Sequence, residues 1–284
     1  MMRRLLASLL ALPLVASCSL GTFDALVPKD GGARLAAREA YAPGKRGGLN
    51  IYVPTPVAAN SRLPVIVFFY GGSWNTGSKD DYGFAGRALA SRGFVTVIPD
   101  YRLVPGTPYP GFLQDSAAAV KWVRANAARF GGDPDRIVLT GHSAGGYNAA
   151  MLALDPQWLG ADRAAVKGFA TMAAPFEFLP LDTQVTKDTF GAVADLATTQ
   201  PVNFVSADDP PALLIGGGKD EIVFASQATS MAIRMSEAGS KGEARVYPEL
   251  GHVGVMAALS TLLRGRAPVL DEIDSFAHRV TATD

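Results

Sequence analysis

The stretch Ile137-Val-Leu-Thr-Gly-His-Ser-Ala-Gly-Gly146 decides the fold of this chain. Its apolar, β-branched start favours a strand, and the small residues that follow, Gly146-Tyr-Asn-Ala-Ala-Met-Leu152, favour a helix. A G-x-S-x-G motif at a strand-to-helix junction indicates a sharp turn, on which the serine has a strained backbone and only glycine-sized neighbours fit. Ser143 is therefore the candidate nucleophile, at a helix N-terminus that favours a developing negative charge.

Apolar runs on both sides of this turn predict further strands of a mostly parallel sheet. Val65-Ile-Val-Phe-Phe-Tyr70 and Gly93-Phe-Val-Thr-Val-Ile-Pro99 are continuous apolar runs of strand length, as expected for strands buried on both faces. Pro210-Pro-Ala-Leu-Leu-Ile-Gly216 is a third such run. Residues 114–129 and 269–280 carry apolar side chains at helical spacing. The sequence thus predicts an α/β domain.

The first of these strands runs directly into Gly71-Gly72-Ser73-Trp74, about 70 residues before the serine turn. Together with Asp100-Tyr101-Arg102 and Phe130-Gly131-Gly132-Asp133-Pro134, this pairing resembles esterases of the α/β-hydrolase superfamily, in the carboxylesterase, hormone-sensitive-lipase-like and arylformamidase-like neighbourhood. The resemblance implies an α/β-hydrolase fold with helices on both faces of a mostly parallel central sheet and a small cap or none. It also implies that backbone N–H groups of Gly72, Ser73 and Ala144 form an oxyanion hole.

One position departs from the family pattern. The family usually has histidine before the Gly-Gly pair, and this chain has Tyr70. Either the tyrosine braces the loop in place of the histidine, or its hydroxyl points inward and donates a hydrogen bond to the oxyanion. We favour bracing, because the N–H donors would be complete without it, and we assign Trp74 a similar supporting position.

Acyl transfer needs a nucleophile, a base and an acid that orients the base. Among the three histidines, His252 alone follows a late strand on a loop; His142 would project away from the site by strand geometry, and His278 would be a solvated helix residue. The family resemblance implies Asp220, rather than the adjacent Glu221, as the acid. The order Ser143, Asp220, His252 is the one typical of this fold.

Length and composition limit the alternatives. The chain has 284 residues, 48% of them hydrophobic, with 26 basic and 26 acidic side chains. These values fit one catalytic domain, predicted over 49–284, preceded by a surface segment over 18–48. We expect a small lid over 176–211, with a short helix around Phe190 to Ala197, and no nucleic-acid partner. Three scattered histidines give no zinc-ligand spacing, so neither a metal nor another cofactor is expected.

The N-terminus resembles an export signal. Arg3-Arg4 precede an apolar stretch, Leu5 to Val15, that is too short to span a bilayer, which predicts a signal peptide over 1–17. Val15-Ala-Ser-Cys18 resembles a bacterial lipobox, whose cysteine becomes the lipid-bearing first residue, and Cys18 is the only cysteine. We therefore expect an envelope protein anchored by lipid, with the outer membrane favoured; alternatively, Cys18 is removed with an ordinary signal and the protein is secreted.

These patterns predict a serine carboxylesterase that acts through an acyl-enzyme on small or aryl esters. The same triad would also serve an arylformamidase, another amide hydrolase or an exopeptidase. A binding protein that has lost catalysis is less favoured, because such proteins usually lack a triad residue.

Overall fold

The central element is an eight-stranded sheet with the order β1-β2-β4-β3-β5-β6-β7-β8. A computed structural model describes residues 20–58 and 60–283, so the predicted signal peptide and Cys18 lie outside the described residues. The strands are β1 (Ala33–Ala40), β2 (Gly48–Pro54), β3 (Leu63–Phe69), β4 (Val95–Pro99), β5 (Gly132–His142), β6 (Val166–Met172), β7 (Ala212–Gly217) and β8 (Gly242–Tyr247). Strands β1 and β2 run antiparallel to their neighbours, and all other pairs are parallel.

Helices cover both faces of this sheet. They are α1 (Leu20–Leu26), α2 (Gly83–Ala90), α3 (Gly111–Asn126), α4 (Ala144–Leu154), α5 (Pro156–Leu159), α6 (Gln184–Phe190), α7 (Ser226–Glu237), α8 (His252–Ala257) and α9 (Val269–Val280). Short 3-10 turns lie at Lys79–Tyr82, Ala127–Phe130, Gly160–Ala165, Leu196–Thr199, Pro201–Phe204 and Arg264–Arg266.

The middle strands are buried on both faces, as their continuous apolar runs predict. Along β3, Ile66 and Phe68 belong to one hydrophobic cluster, and Val65, Val67 and Phe69 belong to the other. Because side chains alternate along a strand, such a run fills two core layers at once. The predicted α/β-hydrolase fold is confirmed.

The N-terminal segment corrects the expected start of the domain. Residues 33–40 form edge strand β1, which pairs with β2 from Ala33 opposite Pro54 to Ala40 opposite Gly48. The ring of Phe23 in α1 packs edge-on against Phe84, with ring centroids 5.3 Å apart. The sheet therefore begins before residue 49, within the segment expected to lie on the surface.

The segment over 176–211 contains α6 and two 3-10 turns. Helix α6 begins after Thr183, whose side chain accepts a hydrogen bond from the N–H of Thr186, and it ends at Phe190. The helix expected from Phe190 to Ala197 thus lies earlier in the chain, at Gln184–Phe190. That this segment forms a small lid stays a prediction.

Candidate active site

The turn between β5 and α4 holds Ser143 in a strained conformation, with φ 53° and ψ −123°. Such a backbone is uncommon for a residue with a side chain and costs about 1–3 kcal/mol. The chain packs so tightly beside this turn that only glycine fits at position 145. A Cβ at Gly145 would lie 2.1 Å from the carbonyl oxygen of Phe69 and 2.4 Å from that of Tyr70. Close packing of α4 against the end of β3 therefore fixes where the serine stands.

The structure brings the three predicted catalytic side chains into one hydrogen-bonded line. Nε2 of His252 lies 2.9 Å from Oγ of Ser143, and Nδ1 lies 2.8 Å from Oδ2 of Asp220. The other carboxylate oxygen of Asp220 accepts hydrogen bonds from the N–H groups of Ile222 (2.9 Å) and Val223 (2.8 Å). The side chain of Asp220 is fully buried, whereas Glu221 is exposed.

This geometry sets the tautomer of His252. A carboxylate only accepts hydrogen bonds, so Nδ1 carries the ring proton and Nε2 presents a lone pair to the hydroxyl of Ser143. A neutral imidazole in that tautomer can take the serine proton, and the carboxylate of Asp220 then stabilises the imidazolium. The arrangement has what is needed for nucleophilic catalysis; that these residues catalyse a reaction stays a prediction.

The glycine loop after β3 lies beside the serine. Its backbone has three successive positive φ angles, at Gly72 (129°), Ser73 (50°) and Trp74 (58°). A Cβ at Gly71 would lie only 3.2 Å from Cβ of Ser143, which shows how closely the loop approaches the nucleophile. Within the described residues, the N–H groups of Gly72 and Ser73 have no hydrogen-bond acceptor.

Ala144 supplies the third predicted donor. It is the first residue of α4, and the N–H groups in the first turn of a helix have no partner within the helix. That the N–H groups of Gly72, Ser73 and Ala144 together bind an oxyanion stays a prediction.

The hydroxyl of Tyr70 is directed towards Asp100 and Arg46. Its hydroxyl donates to Oδ1 of Asp100 at 3.0 Å and accepts from Nη1 of Arg46 at 3.3 Å. Its ring stacks on Tyr101 and Tyr82, with centroids 4.6 and 5.6 Å apart. Burial, followed by the nearby Asp100 carboxylate, raises the pKa of Tyr70 well above its usual value, so the hydroxyl stays protonated. These contacts support the bracing interpretation.

Two neighbouring tyrosines hold the carbonyl groups of the loop. The hydroxyl of Tyr101 donates to the carbonyl oxygen of Tyr70 at 2.7 Å, and that of Tyr82 donates to Gly71 at 3.4 Å. Tyr101 belongs to the phrase Asp100-Tyr101-Arg102 that resembles the family, whereas Tyr82 and Arg46 were not identified from the sequence, because no local pattern marks contacts between such distant segments.

Trp74 supports the loop from its far end. Its indole Nε1 donates to Oδ1 of Asn148 at 3.2 Å. Its ring packs against a cluster of aromatic side chains, Phe112, Tyr147, Phe178 and Phe190. Of the aromatic residues in the segment over 176–211, Phe176 and Phe190 are buried and Phe178 is half-buried.

His142 is placed differently from the sequence-based expectation. Its ring does not project away from the site: it lies 4.8 Å from the ring of His252, centroid to centroid, and its Nε2 is 2.9 Å from the backbone carbonyl oxygen of His252. The strand alternation used to orient His142 ends at the sharp turn that follows it.

His278 is half-exposed, but it also packs on Phe94 and lies 3.0 Å from the carbonyl oxygen of Arg92.

Residues 20–58 and 60–283 contain no group of three or more His, Cys, Asp or Glu side chains arranged to hold a metal ion. None of their helices is both long and apolar enough to cross a membrane.

The fold and the Ser143–His252–Asp220 geometry define the class as an α/β-hydrolase. The model of the prolyl oligopeptidase family matches residues 113–266, which is more than half of the chain, and the BD-FAE model matches residues 49–167. The chain belongs to the prolyl oligopeptidase family.

Named relatives are esterases. Carboxylesterase NlhH of Mycobacterium tuberculosis (strain ATCC 25618 / H37Rv) is 44% identical over 106 residues, which is 37% of this chain and 33% of that protein. Esterase LipQ of the same strain is 28% identical over 253 residues, covering 80% of this chain and 58% of that protein. The chain thus spans between a third and three fifths of the length of these two relatives.

Solved structures share the fold. A truncated carbohydrate esterase from gut microbiota superposes with a TM-score of 0.78 at 21% identity, covering 90% of this chain and all of that one. EstE1, a thermostable carboxylesterase cloned from a metagenomic library, gives 0.75 at 21% identity, covering 93% of this chain and 94% of that one. At this identity the likeness concerns the fold alone.

Proposed function

We propose that this protein is a serine carboxylic-ester hydrolase. The observation that carries the proposal is the hydrogen-bonded line from Oγ of Ser143 through His252 to the buried carboxylate of Asp220, beside a loop with free N–H groups. Esterase names among the relatives agree with it.

The first half of the reaction acylates the enzyme. Oγ of Ser143 attacks the ester carbonyl while Nε2 of His252 takes the serine proton, and Asp220 stabilises the resulting imidazolium. The N–H groups of Gly72, Ser73 and Ala144 bind the negative oxygen of the tetrahedral intermediate. The C–O bond to the alcohol then breaks, and His252 returns the proton to the leaving alcohol.

The second half repeats these steps with water. His252 removes a proton from a water molecule, which attacks the acyl carbonyl of the Ser143 ester, and the same N–H groups hold the oxyanion. Collapse of this intermediate releases the carboxylic acid and returns the proton to Ser143.

Apolar side chains around the site favour small or aryl esters. Ile222 and Phe224 on the acid loop are 71% and 65% exposed, and Val253 beside the base is 41% exposed. Exposed apolar side chains bordering a site favour apolar ligands. We expect hydrolysis of 4-nitrophenyl esters to exceed that of equally activated charged esters, and Phe224→Ser to reduce this preference.

An amide hydrolase is the second candidate. The observation that favours it is the match to the prolyl oligopeptidase family over residues 113–266. Initial rates on a matched aryl ester and aryl amide, which share one acyl group, distinguish the two. A higher catalytic efficiency on the amide would replace the ester assignment.

The test of the serine itself uses covalent labelling. We expect a fluorophosphonate to label the wild-type protein at Ser143 and to leave Ser143→Ala unlabelled, with hydrolysis reduced by about 10⁴-fold or more. Ser230→Ala is the matched control, since Ser230 is an exposed residue of α7. Unchanged ester hydrolysis in Ser143→Ala would end the proposal.

For the location, we propose an exported protein anchored by lipid on Cys18. Helix α1 begins two residues after this cysteine and packs against the segment that follows the glycine loop, with Asp24 accepting a hydrogen bond from the N–H of Phe84. An anchor on Cys18 would therefore hold the face of the domain that carries α1 near the bilayer. We expect Cys18→Ser to move the protein from the membrane fraction to the soluble fraction; an unchanged distribution would contradict lipidation.

A further inference from the structure

His142 lies between the nucleophile and the base. It directly precedes Ser143 in the chain, and its Nε2 lies 2.9 Å from the backbone carbonyl oxygen of His252, 110 residues away in sequence. The ring is buried, and within the described residues its Nδ1 has no hydrogen-bond partner. Among those residues, the contact to the carbonyl of His252 is thus the only hydrogen bond of this ring.

The carbonyl acceptor determines the tautomer of His142. A carbonyl oxygen cannot donate, so Nε2 carries the proton and Nδ1 is the unprotonated nitrogen. Burial, and then the nearby ring of His252, lower the pKa of His142 to about 3. His252 and Asp220 are the titratable groups that act on this ring. His142 is therefore a neutral donor under ordinary conditions, and it does not compete with His252 for protons.

Two hydrogen bonds and one peptide link form a closed ring around the reacting atoms. Oγ of Ser143 bonds Nε2 of His252, the carbonyl of His252 bonds Nε2 of His142, and His142 is joined to Ser143 by the chain. Asp220 fixes only the imidazole of His252, whereas His142 holds its backbone. Together they leave the base little freedom to move relative to the nucleophile.

We propose that His142 is a positioning residue, which holds the backbone of His252 at the distance from Ser143 that proton transfer requires. This inference rests on the proposed hydrolase function. Misplacement of a reacting group by about 1 Å can cost about 100-fold in rate, so a hydrogen bond that fixes the base can matter to turnover without touching the substrate.

The test compares variants that keep or lose the donor. His142→Gln keeps an N–H near the position of Nε2, His142→Leu has no donor, and His142→Asn places its amide too close to the backbone to reach His252. We expect kcat on an aryl ester and the fluorophosphonate labelling rate at Ser143 to fall about 10- to 100-fold in the Leu and Asn variants. KM should change little, and His142→Gln should recover most of the loss. The acid limb of the pH profile should stay in place, because a neutral group is exchanged for another.

The control is His278→Leu. His278 also contacts a backbone carbonyl through Nε2, that of Arg92 at 3.0 Å, but on the terminal helix away from the site. The His278→Leu substitution should leave kcat unchanged. Wild-type activity in His142→Leu or in His142→Asn, failure of His142→Gln to recover it, or a shifted acid limb would each overturn the proposal. If His142→Leu does not fold, the Gln and Asn variants still decide. Failure of the hydrolase assignment is distinct, because the wild-type protein itself would then resist fluorophosphonate labelling.

Discussion

Replacing Tyr70 by phenylalanine distinguishes bracing of the glycine loop from direct participation in catalysis. The change removes a buried hydroxyl that donates to Oδ1 of Asp100 at 3.0 Å and accepts from Arg46 at 3.3 Å. A hydrogen bond to a charged group contributes about 1.5–3 kcal/mol to stability. Asp100 keeps a hydrogen bond from the backbone N–H of Lys79 at 2.9 Å and ion pairs with Arg46 at 3.6 Å and Lys79 at 3.8 Å. We therefore expect a loss near the lower end, about 1.5–2 kcal/mol.

The effect of Tyr70→Phe on turnover should be much smaller. Because the hydroxyl is bonded to Asp100, kcat should stay within about threefold of wild type, whereas loss of an oxyanion donor typically costs about 100- to 1000-fold. Urea denaturation measures the loss in the free energy of unfolding, and initial rates on an aryl ester measure the change in kcat. Tyr147→Phe is the stability control, since its buried hydroxyl donates to a neutral acceptor, the carbonyl of Thr199, at 2.8 Å. A 100-fold lower kcat with unchanged stability would refute the bracing argument.

Asp220→Asn should fold, because the amide oxygen of the new side chain can still accept hydrogen bonds from the loop N–H groups. The amide nitrogen would favour the wrong tautomer of His252, so kcat should fall by about 10⁴-fold. A wild-type rate of ester hydrolysis in this variant would contradict the prediction. Gly145→Ala should lose about 1–3 kcal/mol or more, measured by thermal unfolding, because its Cβ would strike backbone oxygens, whereas Gly265→Ala has open space and should be neutral. Burial lowers the pKa of His142 from 6.5 to about 3, so the unfolded chain takes up this proton at a higher pH than the folded protein does. As the pH is lowered from about 6.5 to about 3, the free energy of unfolding should therefore decrease by at most about 5 kcal/mol. A denaturation series over this range should show that His142→Gln lacks this contribution, and an identical slope in both proteins would contradict it.

The middle of the sheet could be predicted from sequence because its signals are local. The run expected as a strand over 65–70 is β3 (Leu63–Phe69), and the terminal helix expected over 269–280 is α9 (Val269–Val280). A strand buried on both faces must be apolar throughout, and an amphipathic helix shows its period within a few turns. Such patterns do not depend on distant partners.

Edge strand β1 was missed for a physical reason. It contains Arg34, Arg38 and Glu39 among small residues, and most of its positions are half-buried or exposed. Charged side chains are common on edge strands, where they prevent pairing with other chains, so the strand does not show the apolar pattern used to find the others. Its register also shifts between Leu35 and Ala37, which interrupts the alternation.

The G-x-S-x-G pattern specifies two glycines and a serine. In this chain the second residue of the motif, His142, is also constrained, by its contact with the backbone of His252. Gly145 permits contact with the end of β3, Ala144 presents an N–H group, and His142 reaches the backbone of the base. The pattern predicts the turn because backbone strain and packing are local, but it cannot predict the partner of His142, which depends on where a loop 110 residues away returns to the sheet. A substitution at His142 should therefore affect turnover through the position of His252, even though the motif places no requirement on that residue.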